Sequence, residues 1–294
     1  ESPDPRFRFI LTGSSARKLK AGGANLLAGR AVVRDLFPFT HDELGIAFDL
    51  QRALEWGTLP RAWSAISDEE RFDRLEAYAI TYLKEEVWGE QLVRKLEPFR
   101  RFLEVSAQSN GKEINAANIA RDVGADAKTV QSYFQILEDT LVGLQLDAFE
   151  TSVRRRVRRA PKFYFFDNGV ARALGRLLRV RLHEGTSAYG EAFEAFVINE
   201  VHRRVHYERL DYRMTYMRTP GGVEVDLVLE RPGRPLLLIE VKSTTLVRED
   251  HAARLNAIAK DFSSTEALLV SRDPQSKSYG KVTCLPWADA IAAV

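Results

Sequence analysis

One cysteine, Cys284, stands in a chain of 294 residues. A single thiol cannot build an internal disulfide framework and leaves no cysteine cluster for zinc, as expected of a protein of the reducing cytoplasm. Long hydrophobic runs are lacking too. No apolar stretch approaches the roughly 18 residues that a membrane span requires, and nothing in the sequence reads as a secretory signal. Nor does one charge dominate: 43 Lys and Arg nearly balance 41 Asp and Glu, for a net charge of +2. No global field therefore draws nucleic acid, and any basic surface has to be local. Neither internal repeats nor low-complexity segments break the pattern. What is present is 45% hydrophobic and 29% charged residues, over a length that fits two or three modules better than one.

The chain begins at Glu1 and enters "RFRFILTGSS" almost at once. A buried strand normally has more framework before it, so the C-terminal part of a longer protein is expected, with a trimmed tail as the alternative. Residues 7–11 alternate with arginine and then turn apolar, which predicts a strand ending at Thr12-Gly13-Ser14-Ser15. Residues 31–36 predict a second short strand, and Pro38 with Thr40-His41-Asp42-Glu43 predicts a turn into a capped helix. Residues 68–103 carry a helical pattern with few breakers. A short helix over 114–123, a turn at Gly124 and a longer helix over 128–141 follow, with Val130, Phe134, Leu137 and Leu141 as the inner face. Two helices about a tight glycine turn are a helix-turn-helix signature. "LQLDAFE" and "VRRRVRRAPKFYFFD" predict a strand pair behind them, the usual form of a wing. Beyond it, "NGVARALGRLLRV" and residues 189–208 read as helices, and 213–218, 223–229 and 235–242 as strands. A helix over 250–260, strands over 267–271 and 281–285 and a terminal helix complete the pattern.

"GVEVDLVLERPGRPLLLIEVKS", residues 222–243, sets Asp226, Glu240 and Lys242 inside two runs that favour burial, and burying an unpaired charge is costly. Alternation groups Leu236, Leu238, Glu240 and Lys242 on one face of the second strand. In the first strand it groups Glu224, Asp226 and Val228, with Val223, Val225, Leu227 and Leu229 opposite. A hairpin symmetric about Gly233 then sets Asp226 across from Glu240 and Glu224 across from Lys242. Like charges so placed repel by about 3 kcal/mol at about 5 Å and an effective dielectric near 20. A shared proton or a divalent cation relieves this, and Mg²⁺ suits two carboxylates, a carbonyl and several waters. On the long helix, Glu194 has Val197, Ile198 and Val201 at i+3, i+4 and i+7, which places it on the inward stripe. Glu191 lies one turn earlier and Glu200 is rotated away. The competing reading is a surface strand pair with solvated acids and a Glu224–Lys242 pair.

The order "E…VEVD…IEVK" resembles the PD-(D/E)xK nuclease superfamily, and the match falls on Glu194, Asp226, Glu240 and Lys242. The resemblance implies a restriction-endonuclease-like module in which Asp226, Glu240 and Glu194 hold Mg²⁺ or Mn²⁺ and Lys242 helps to place the attacking water. That is metal-assisted phosphodiester hydrolysis, with an inert descendant of the site as the alternative. End to end, "FILTGSSARKL", "LLAGRAVVRDLFPF", "FYFFDNGVARAL", "GEAFEAFVINEV" and "EVDLVLE…LIEVKS" resemble the C-terminal portion of a prokaryotic AAA-type ATPase family that carries a C-terminal domain of unknown function, number 4143. This second resemblance implies a mixed α/β chain. Its parts are a remnant of a P-loop ATPase domain (1–55), a helical lid (56–105), a winged helix (106–167) and the nuclease-like module (168–294). It also implies that Thr12 and Ser14 sense the nucleotide and that Arg30 is an arginine finger; a solvated loop arginine is the plain reading of Arg30.

The sequence departs from that family in lacking a G-x-x-x-x-G-K-[ST] loop and the acidic strand that accompanies it. ATP is expected to bind only together with an N-terminal core, and an arginine finger acting in trans implies a homo-oligomer. "SVRRRVRRAPK" packs Arg154, Arg155, Arg156, Arg158, Arg159 and Lys162 into the expected wing, the local footprint of phosphate contact. Lys128, Thr129 and Gln131 at the start of the second helix suit a DNA groove. A solvated basic strand and a winged helix used only for packing are the alternatives. Three functions stay open: a DNA-binding, ATPase-associated metal-dependent nuclease; a non-catalytic DNA- or protein-binding module on a vestigial nuclease fold; and a nucleotide-driven machine whose nuclease fold is inert.

Overall fold

The apolar runs flanking Gly233 become central strands of a sheet, and the other elements are laid out around them. The computed structural model describes residues 10, 32–82, 96–150, 159–219 and 221–294. The expected strand over 7–11 falls outside these residues but for Ile10, as do Thr12, Ser14, Arg30, Arg154, Arg155, Arg156 and Arg158.

Residues 32–36, expected in a strand, form none. A strand needs a partner for its backbone groups, and no described strand pairs with them; Val32, Val33 and Leu36 are exposed. Helix α1, His41–Leu44, opens as expected with a capping box between Thr40 and Glu43. Helices α2 (Leu50–Trp56), α3 (Pro60–Trp63), α4 (Asp68–Glu76) and α5 (Leu96–Gln108) follow. Helices α6 (Ala116–Val123) and α7 (Ala127–Asp139) meet at Gly124, which takes the left-handed conformation at φ 71°. Glycine adopts that turn without steric cost. Val130, Phe134 and Leu137 of α7 are buried with Phe99, Phe102 and Leu103 of α5. Leu141, expected on the same face, instead has a φ of 59° and turns the chain out of α7.

Strand β1 (Gly143–Ala148) pairs antiparallel with β2 (Lys162–Phe165). Helix α8 (Asn168–Leu174) is capped by Asp167 and stops at Gly175, short of the expected helix, because Arg176 turns the backbone at φ 57°. The long α9 (Ser187–Tyr207), β3 (Arg213–Arg218), β4 (Glu224–Glu230), β5 (Leu236–Lys242), α10 (Glu249–Ala259) and β6 (Thr265–Ser271) come next. A short β7 (Lys277–Tyr279), β8 (Val282–Pro286) and α11 (Trp287–Ala292) end the chain. Among the described residues, the mixed sheet has eight strands in the order β2-β1-β3-β4-β5-β6-β8-β7. Its β1 runs parallel to β3 through Asp147↔Thr215 and Ala148↔Tyr216. The sheet thus continues across residue 167, and the hairpin expected as a wing belongs to the same sheet as the C-terminal strands. Helices α9 and α11 cover one face with Leu227, Leu229, Leu237 and Ile239. Helix α10 covers the other with Val228, Leu238, Ala267 and Leu269.

Candidate functional site

Strands β4 and β5 pair through Leu227↔Ile239, Val228↔Leu238 and Leu229↔Leu237, the register of a hairpin centred on Gly233. Its turn is closed by the Arg234 N–H donating to the Arg231 carbonyl at 3.0 Å. The pairing stops at Leu227↔Ile239, and beyond it the Val241 N–H donates to Asp226 Oδ2 at 2.7 Å. On its other side β4 carries one more residue than β3 between the pairs Thr215↔Val228 and Met217↔Val225. A bulge of this kind re-aims side chains. It corrects the simple alternation: Val225 joins Val228 in the core under α10, while Leu227 packs under α9.

Asp226 is buried. Its carboxyl is held well above the ordinary carboxylate range by burial, then by the charges of Glu194 and Glu240; the Val241 N–H and Lys162 pull the other way. Burial also pushes up Glu240, against the pull of Lys242, with Glu194 and Glu224 adding to the rise. Lys242 Nζ lies 2.5 Å from Glu240 Oε1. Burial alone would lower the Lys242 ammonium, but Glu240, Asp226 and Glu194 outweigh it and raise it. Glu194 Oε1 accepts from the Tyr164 hydroxyl at 2.6 Å and lies 3.4 Å from Lys162 Nζ. The charges of Glu194, Asp226, Glu240 and Lys242 act on one another, and the contact between Lys242 and Glu240 joins two of them directly.

Three further groups complete the cluster. Lys162, expected on a DNA-facing surface, is 3% exposed and forms ion pairs with Glu194 and Glu224. A buried ammonium cannot meet a phosphate at the surface, so Lys162 leaves the DNA-contacting set. Burial would lower its pKa, but Glu194, Glu224 and Asp226 outweigh that and raise it. The Tyr164 phenol is pushed well up by burial and then by Glu194, so it stays a donor. Glu224 pairs with Lys162 and not, as one reading held, with Lys242. One signal for Lys162 was available: it heads "KFYF", four residues that are all buried, and a lysine in such a strand needs an acid beside it.

A divalent cation needs several oxygen donors turned to one point. Among the described residues, no group of three or more His, Cys, Asp or Glu side chains is disposed to hold a metal ion. Lys162 engages Glu194 and Glu224, and Lys242 engages Glu240. In this arrangement the acids do not fit Mg²⁺ or Mn²⁺; two lysines of the chain offset part of their charge.

The remaining residues of interest lie elsewhere. Glu191 pairs with Lys112 at 3.7 Å. Glu200 is turned away from the cluster, yet it is 1% exposed, held by Arg203 at 3.0 Å and by His41 Nδ1 at 2.5 Å. Lys128 and Gln131 are exposed on α7, while the Thr129 hydroxyl is committed to Asp126 at 2.7 Å. Arg159 pairs with Glu150 at 3.1 Å and donates to the Arg218 carbonyl at 2.9 Å.

Residues 189–289 match DUF4143, a domain of unknown function. The DUF4143 region contributes Glu194, Glu224, Asp226, Glu240 and Lys242. Lys162 and Tyr164 come from residues 47–181, which match another domain of unknown function, DUF8612. The cluster is therefore built from both regions. Two curated proteins are similar to the chain: Uncharacterized protein Mb2031c of Mycobacterium bovis and Uncharacterized protein Rv2008c of Mycobacterium tuberculosis. Each is 29% identical over 239 residues, covering 81% of this chain and 53% of the relative. The chain spans about half the length of the curated relatives it matches. Among the described residues, no helix is long and apolar enough to cross a membrane.

Proposed function

We propose that this chain is the DNA-engaging C-terminal part of an AAA-type ATPase, built on a nuclease-like core whose acid site is balanced by lysines. The observation that carries the reading is the meeting of Glu194, Asp226, Glu240 and Lys242 along the order α9–β3–β4–β5–α10–β6. A helix glutamate, then a strand aspartate, then Glu-x-Lys is the order of residues the PD-(D/E)xK resemblance implies. DNA is engaged by the α6–α7 pair through Lys128 and Gln131, supported by the arginines of "SVRRRVRR". Lys242, 41% exposed, is the most open charged group of the cluster and meets a phosphate brought to it. In this reading ATP binds a P-loop core outside these residues, and Arg30 acts on it within a homo-oligomer.

A second reading, phosphodiester hydrolysis with Mg²⁺ or Mn²⁺, is favoured by the same four residues and requires their release from the lysines. Fluorescence anisotropy with a labelled duplex separates the two. The first reading expects binding that persists in chelator, falls with salt, and weakens about 10-fold in a Lys128→Glu/Gln131→Glu variant. Absence of binding by the unaltered chain would sink it. Strand cleavage in Mn²⁺ that disappears in Asp226→Asn would establish the second.

A further inference from the structure

We infer that Lys162 is the resident cation of the acid site: its ammonium takes the charge-balancing part that a divalent ion would otherwise play, and the site takes up a metal only once that lysine is gone. The inference rests on reading the cluster as a nuclease-type acid site. Four observations lead to it. Lys162 lies on β2, in the DUF8612 region, whereas the acids belong to the DUF4143 region; the lysine is brought in from outside the element set that carries them. It is 3% exposed, and a buried ammonium persists only when paired. Its Nζ contacts two acids at once, Glu194 and Glu224. Tyr164, two residues along β2 and so on the same side of the strand, donates to Glu194 at 2.6 Å. The strand thereby holds the Glu194 carboxylate with both a charge and a hydrogen bond.

The charges add to the argument. Four carboxyl groups (Glu194, Glu224, Asp226 and Glu240) face two ammonium groups, Lys162 and Lys242. A divalent ion entering beside Lys162 would meet a fixed positive charge on the same oxygens. Without Lys162, four acids share one ammonium, and a divalent ion supplies what is missing.

Thermal unfolding with and without Mn²⁺, followed by circular dichroism, tests this on the chain itself. For the unaltered protein, millimolar Mn²⁺ is expected to leave Tm in place. For Lys162→Met, Tm is expected to fall without metal and to rise by at least about 3 °C in Mn²⁺, a rise that Asp226→Asn added to Lys162→Met abolishes. Lys162→Gln, one atom shorter but still able to donate a hydrogen bond, is the second variant. A Mn²⁺-dependent rise in the unaltered protein that Asp226→Asn removes overturns the inference, because metal and lysine would then coexist. So does a folded Lys162→Met or Lys162→Gln that ignores Mn²⁺. Failure of both variants to fold even in Mn²⁺ also counts against it, since the ion would then be no substitute for the lysine. DNA binding is read separately by anisotropy, so the fate of that proposal does not alter this result.

Discussion

Replacing Asp226 by Asn removes one negative charge from the middle of the acid cluster while keeping its shape. The Asn carboxamide oxygen can still accept from the Val241 N–H, which Asp226 Oδ2 does at 2.7 Å, so the local backbone should hold. What changes is the proton balance. The Asp226 carboxyl is raised well above the ordinary range by burial, Glu194 and Glu240. Between the ordinary carboxylate range and that raised value, the folded protein keeps a proton that the unfolded chain has lost. Stability contributed by this group is therefore complete at low pH and is lost as pH rises. The slope is about 1.4 kcal/mol per pH unit while only the folded form is protonated. Asp226→Asn has no such loss. Urea denaturation at a series of pH values from 5 to 9, each compared with the variant, should show the variant gaining on the parent as pH rises. The gain should level off once the parent carboxyl ionises in both states. Two parallel profiles, differing by less than about 0.5 kcal/mol across the range, would refute the crowding of these acids.

Other outcomes follow from the packing around α9. Arg203, 3% exposed, bridges Glu200, the Phe39 and Phe166 carbonyls and Thr58. Arg203→Met should cost about 3–5 kcal/mol by leaving Glu200 short of a partner, measured by urea denaturation. A Cβ at Gly169 would stand 2.1 Å from the Trp56 carbonyl oxygen. Gly169→Ala should therefore destabilise by about 3 kcal/mol, at the upper end for overpacking, read as a fall in Tm. His202 is lowered to about 3 by burial, His206 and Arg203. It stays neutral in the fold, so its contribution is present above the ordinary value of 6.5 and is lost as pH falls below it. His202→Phe should flatten the acid side of the stability profile.

The parts of the site that lie within one hairpin or one helix face were legible. The β4–β5 register followed from two apolar runs about Gly233, and the inward place of Glu194 followed from Val197, Ile198 and Val201. The bulge in β4 was not legible, because it depends on how β3 pairs. Lys162 was misread for a related reason. In the sequence it closes a basic run and looks like one more surface charge. Its acid partners stand at positions 194 and 224, and only the addition of the β1–β2 hairpin to the sheet through β3 brings them together. The pair of helices about Gly124 was readable from that glycine and from the spacing of Val130, Phe134 and Leu137. The early end of α7 at Leu141 and the three-residue β7 were not, since neither leaves a periodic signal.

The central claim is that lysines of the chain together with a retained proton, and not a metal, relieve the crowding of the acids at the β4–β5 junction. Anomalous scattering from crystals soaked in Mn²⁺ addresses it most directly. The account predicts no anomalous peak beside Asp226 and Glu240 and clear density for the Lys162 ammonium between Glu194 and Glu224. A peak within about 2.5 Å of those carboxylate oxygens, with Lys162 turned elsewhere, would contradict it.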